Sequence, residues 1–144
     1  MFAQLGGALK SDVFTDAVFE NPGFGNNWLV VKLVGTESNC FGVGSRIRAS
    51  VRENNEARDV FRWVNSGGSF GCNPLRQQIG LGQATTVDTL EVFWPKTGRT
   101  QTFSNIAAGQ MIEITEDQDD YRVVPYPATP FRKKSPSKFT FVTE

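Results

Sequence analysis

Trp28–Gly35 reads WLVVKLVG, and its alternation decides the fold. Trp28, Val30, Lys32 and Val34 fall on one face of an extended chain; Leu29, Val31 and Leu33 fall on the other. Successive side chains of a strand point to opposite faces, so the second, purely apolar face is predicted to meet a core. A run this rich in β-branched residues fits a pleated, half-buried surface better than a helix.

The same pattern recurs outward along the chain. Ser45–Arg52 sets Ile47, Ala49 and Val51 against Arg46, Arg48, Ser50 and Arg52, a half-buried strand with a charged outer face. Glu53-Asn54-Asn55-Glu56 is a polar hairpin turn, and Arg58–Val64 runs back with Phe61 and Trp63 on one face. Arg76–Leu81, Val87–Pro95, Arg99–Phe103 and Gln110–Glu116 follow as strands, and Tyr121–Val124 reads as a short edge strand. Towards the N-terminus, Asp12–Glu20 is a further strand, closed by the turn signal Asn21-Pro22-Gly23. No stretch carries the apolar spacing of an amphipathic helix. The seven or eight short strands from Trp28 onward, with turn signals between them, predict an all-β chain, an antiparallel β-sandwich of jelly-roll-like or Ig-like type. Trp28, Leu33, Ile47, Phe61, Leu90, Val92 and Trp94 are expected to be largely buried.

At 144 residues the chain is long enough for one domain with a real core. Fifteen Lys and Arg balance fifteen Asp and Glu. That balance suggests no nucleic-acid-binding or polyanion-binding surface. There is no histidine. Ser-His-Asp and Cys-His catalysis need an imidazole base, and most zinc, copper and non-haem iron sites use imidazole ligands. The composition thus argues against an enzyme and implies no cofactor. No apolar run is long enough for a membrane-spanning helix, so no membrane insertion is expected. MFAQLGGALKSDVF lacks the basic start and long apolar stretch of a secretion signal.

Several features bear on chemistry. Gly42-x-Gly44 and Gly67-Gly68-Ser69-x-Gly71 look like phosphate cradles, but a strand follows each rather than a helix N-terminus, so tight turns are the better reading. Cys40 and Cys72 sit in these loops and are either bridged or two free thiols. A bridge would close a loop of about thirty residues and stabilise by roughly 3–4 kcal/mol. Asp117, Asp119 and Asp120, beside Glu116, offer oxygen ligands of the kind calcium takes, but without the glycine-punctuated spacing of a calcium loop. Arg46, Arg48 and Arg52 share a strand face, and Arg58 and Arg62 lie on the partner strand, which would make a basic stripe. Phe24 and Trp28 border the opening loop, and Phe70 lies in the second glycine loop. Trp and Arg are enriched in interface hot spots, so Phe24, Trp28, Arg46, Arg48, Arg52, Arg58, Arg62 and Phe70 form the candidate binding set.

A series of short motifs then appears in order. It runs Asn21-Pro22-Gly23, Gly25-Asn26-Asn27-Trp28-Leu29, Leu33-Val34-Gly35-Thr36, Ser38-Asn39 and Gly42-Val43-Gly44-Ser45-Arg46-Ile47. It continues through Gly67-Gly68-Ser69-Phe70-Gly71, Asn73-Pro74-Leu75, Gly80-Leu81-Gly82, Val87-Asp88, Leu90-Glu91-Val92, Trp94-Pro95 and Thr100-Gln101-Thr102-Phe103. From about Asn21 to Glu116 the chain resembles the ASPIC/UnbV domain of FG-GAP/VCBS-repeat, cartilage-acidic-protein-like proteins; bacterial relatives are encoded beside enediyne biosynthesis genes. At Cys40 and Cys72 it departs from the family pattern.

The resemblance implies a C-terminal domain of a larger secreted or surface protein, following repeats that build a calcium-binding β-propeller. It implies an extracellular, periplasmic or cell-surface location. On this reading residues 1–20 are a linker or the residual strand of a preceding repeat, 21–124 the sandwich, and 125–144 a Pro-rich basic tail. Three functions follow as expectations: a module that binds a protein or glycan partner, the adjacent propeller included; a purely structural cap; or an accessory part of a biosynthetic enzyme system.

Overall fold

The computed structural model describes residues 2–4, 17–19, 22–67, 72 and 74–126. Those residues form strands and connecting turns with no helix. The strands are β1 (Phe2–Gln4), β2 (Ala17–Phe19), β3 (Asn27–Val34), β4 (Arg46–Glu53), β5 (Glu56–Trp63), β6 (Gln77–Gly82), β7 (Thr86–Trp94), β8 (Arg99–Ala107), β9 (Gln110–Thr115) and β10 (Tyr121–Val124). β1 and β2 pair with each other; of the strand expected over Asp12–Glu20, Ala17–Phe19 is observed and the other residues lie outside the described ones.

The other eight strands make two sheets of four, ordered β10-β9-β3-β6 and β5-β4-β7-β8. Every ladder in them is antiparallel except β3–β9, which runs parallel from Leu29↔Gln110 to Val34↔Thr115. A strand within a parallel ladder tends to be covered on both sides and to read as a continuous apolar run. β3 fits that rule: Leu29, Val31 and Leu33 face the core, and Val30, on the outer side, is buried as well.

The core is one cluster that seals the two sheets together. Leu29, Val31, Leu33, Ile79, Leu81, Ile112 and Ile114 come from the first sheet. Ile47, Ala49, Val51, Leu90, Val92, Trp94, Phe103 and Ile106 come from the second. The expected all-β sandwich is therefore observed. Trp94 is fully buried and satisfies its ring N–H by donating to Gln101 Oε1. At the β4–β5 turn Asn54 and Asn55 both adopt positive φ, 52° and 66°, which a two-residue turn matching strand twist requires. On the other flank of β4, Ser50 pairs with Thr89 but Val51 with Val87, leaving Asp88 as a bulge.

Two expected core residues are not in the core. Trp28 is 37% exposed and Phe61 40%. Trp28 shares the parity of Lys32 and so lies on the outer side of β3. Phe61 pairs with Arg48, whose side chain points away from the core, so register turns Phe61 outward too. Leu33, Ile47, Leu90, Val92 and Trp94 are buried as expected.

Candidate functional site

The expected basic stripe is split by register. Arg46 pairs with Trp63, and Arg48 with Phe61, on the outer face of the second sheet. Arg58 and Arg62 pair instead with Val51 and Ile47, on the opposite face. Arg48, Arg58 and Arg62 are also engaged separately. Arg48 is bound to Glu91 and lies 3.6 Å from Asp59. Arg58 reaches Glu53 at 3.3 Å. Arg62 donates to the carbonyls of Gln78 (3.0 Å) and Phe61 (2.8 Å), tying the β5 edge to β6. Arg52 is exposed opposite Ala57.

That outer face instead carries an aromatic patch. Phe61 and Trp63, two residues apart on edge strand β5, stack with centroids 6.1 Å apart at 27°. Trp63 is 56% exposed. On the far side of β4, the Arg46 guanidinium lies 5.8 Å over the Phe93 ring. One cross-strand row thus runs Trp63, Arg46, Phe93, Thr100. The sequence had set Phe61 and Trp63 on one face of a strand; only pairing with Arg48 and Arg46 shows that this face meets solvent.

A second surface forms on the outer side of the first sheet. Trp28 packs on Tyr126, centroids 5.5 Å apart and planes at 54°, and Arg76 lies 5.9 Å over the Tyr126 ring. Tyr126 and Arg76 were not among the expected site residues; nothing local in the sequence ties them to Trp28. Phe24 is highly exposed in the turn before β3. Phe70 lies outside the described residues.

Cys40 and Cys72 do not form a disulfide; both thiols are free and exposed. Each cysteine is tied into its own loop. The Cys40 carbonyl accepts the Gly35 N–H at 3.2 Å. Cys72 packs on Gly67, where a Cβ would stand 2.8 Å from the Cys72 Cα.

The most concentrated polar constellation is built around Glu116, buried at the end of β9. Its Oε2 accepts the backbone N–H groups of Thr36 (2.9 Å), Glu37 (2.9 Å) and Ser38 (2.7 Å). Its Oε1 accepts the hydroxyls of Ser38 (2.7 Å) and Thr97 (3.1 Å). Burial alone would raise the pKa of this carboxyl, but the Ser38 hydroxyl and the three N–H groups outweigh it and hold the pKa at about 2. Lys96 adds a bond to the Glu37 carbonyl. The cage fastens the β3–β4 loop to the β7–β8 turn, and its lone pairs are spent inside the protein.

Its neighbours do not assemble a cation site. Asp117 is paired with Arg99 at 2.5 Å, and Asp119 and Asp120 are exposed. Among the described residues no three acidic, thiol or imidazole groups converge. Elsewhere, the Lys32 ammonium and then the Arg122 guanidinium hold the Glu113 carboxyl below the usual carboxylate range. The Gln83 N–H does most to lower Glu53 likewise.

Comparison with known families places this arrangement. The family model described as ASPIC and UnbV matches residues 35–120, more than half of the chain, from the end of β3 through the strands of the sandwich to the turn before β10. No curated protein matches it.

Proposed function

Because the chain belongs to the ASPIC and UnbV family, whose domains are associated with FG-GAP repeats as C-terminal domains, we propose that it is a non-catalytic interaction module of a larger secreted or surface protein. It binds a protein or glycan partner through the outer face of the β5-β4-β7-β8 sheet. The observation that carries this reading is the stacked Phe61–Trp63 pair, held in the open on an edge strand beside Arg46 and Phe93. Stacking restricts both rings before any partner arrives, so little ordering entropy remains to be lost on binding. Aromatic and arginine side chains together are the composition of interface hot spots.

A catalytic reading draws less support. The chain has no histidine. Its most perturbed carboxyl, Glu116, is lowered rather than raised and spends its lone pairs on five internal donors. A general acid or base working near neutral pH needs the opposite.

The test is a screen of the isolated chain against glycan and cell-surface-protein arrays, with hits retested on Phe61→Ala and Trp63→Ala. Both residues are exposed, so thermal midpoints should barely move. Hits should weaken by about 30-fold, the scale of a hot-spot residue. Hits that survive both substitutions place the binding face elsewhere; no hit on either array leaves the purely structural cap as the better reading.

A further inference from the structure

The outer face of the other sheet carries a groove of different character. Two cavities adjoin there. One, about 320 Å³, is lined by Trp28, Val30, Gln78, Gly80 and Tyr126 among others. The next, about 420 Å³, is lined by Lys32, Phe41, Leu75, Arg76 and Met111 among others. Their linings are neighbours on β3, where Val30 of one and Lys32 of the other share a face, and at the contact between Arg76 and Tyr126. Each is large enough to take a bulky side chain.

We infer that this groove receives an extended acidic segment of a partner protein, with apolar side chains of that segment seated in the two cavities. Spacing is the first argument. Alternate side chains of an extended peptide project to one side every two residues, roughly 7 Å apart, the same step that separates Val30 from Lys32 on β3. Lining is the second. The tilted Trp28 and Tyr126 rings flank a buried Val30, while Phe41, Leu75 and Met111 line the neighbouring cavity.

Charge chooses the partner. Lys32 and Arg122 share the single carboxylate of Glu113, at 2.7 and 2.6 Å. Arg76 faces the Tyr126 ring and, among the described residues, no carboxylate. Three cations against one carboxylate favour an occupant that brings its own acids. The chain's own residues 127–144 are a poor match, since they carry Arg132, Lys133, Lys134 and Lys138 against the single acid Glu144.

Gly80 makes the groove testable. It pairs with Trp28 across the β3–β6 ladder, and a Cβ added there would meet nothing within 4 Å. Its φ is not in the left-handed region, so Gly80→Leu fills the first cavity without backbone strain.

The experiment titrates the full chain with a fluorescein-labelled peptide, Glu-Trp-Glu-Leu-Glu, and with its counterpart bearing Lys for every Glu. The acidic peptide should bind, more weakly as salt rises, and the basic one should not. Gly80→Leu should weaken binding by at least about tenfold, and Arg76→Gln by several-fold, with thermal midpoints unchanged. Binding that ignores Gly80→Leu, equal binding of the basic peptide, or no binding overturns the proposal. Concentration-dependent self-association abolished by Gly80→Leu would name a second copy as the occupant, and binding seen only after removal of residues 127–144 would name the tail; either overturns it too. The variants lie on the sheet opposite Phe61 and Trp63, so failure here leaves the proposed function standing.

Discussion

The Glu116 cage makes a quantitative claim on stability. Glu116→Gln keeps the shape and one acceptor oxygen but removes the charge that three backbone N–H groups and two hydroxyls address. The carboxyl falls from its ordinary 4.5 to about 2 in the fold. A shift of that size is on the order of 3 kcal/mol at ~1.36 kcal/mol per unit. Thr36 and Glu37 are exposed, so screening at the rim brings the expected loss to roughly 2–3 kcal/mol. The folded pKa lies below the unfolded one. The contribution is therefore complete above about 4.5 and is lost as pH falls towards about 2. The assay is urea unfolding of parent and variant across that range. Other lowered carboxyls, Glu53 and Glu113, are common to both proteins, so the difference between them isolates Glu116. At neutral pH Glu116→Gln should be less stable by the stated amount, and the gap should close near pH 2. A gap below about 0.5 kcal/mol, the scale of an ordinary surface substitution, or one that does not change with pH, refutes the reasoning.

Three further substitutions probe the framework. Trp94→Ala should cost about 3–5 kcal/mol in denaturant unfolding, since it empties a fully buried site and strands Gln101; a loss under about 1 kcal/mol would contradict the packing. Gly42 has φ +68°, and a Cβ there would stand 2.7 Å from the Leu33 Cβ, so Gly42→Ala should lower stability by more than about 1 kcal/mol and reduce the melting temperature. Ser45 is fully buried, and its hydroxyl has no partner among the described residues. Ser45→Ala removes that unpaired group at nearly constant shape and should raise stability by about 0.5–1 kcal/mol; a clear loss by calorimetry would show the hydroxyl to be bonded.

Much of the architecture was legible one strand at a time. The alternation of Ile47, Ala49 and Val51 with Arg46, Arg48 and Arg52 is written in consecutive residues and needs no partner to be read. The turn at Asn54-Asn55 and the family motifs are equally local. The site was far less legible. Residue type and strand pairing group Arg58 and Arg62 with Arg46 and Arg48, and the structure sends the two sets to opposite faces. Phe61 is expected in the core, and its register with Arg48 turns it to solvent.

What the sequence determined by itself was the strands from Trp28 onward, the inward faces of β3, β4 and β7, and the sandwich they make. Period-two patterning and turn chemistry are properties of neighbours along the chain, and burial of one apolar face per strand leaves few other solutions. Only the tertiary structure decided which outward residues meet. The Glu116 cage joins the end of β9 to a loop some eighty residues earlier, and the Trp28–Tyr126 pair spans nearly the whole sandwich in sequence. The parallel placement of β9 beside β3 is likewise a choice of partner. Pairing and register are set by contacts summed over both sheets, and a one-residue slip would turn every side chain to the other face. No stretch of sequence read alone records that sum.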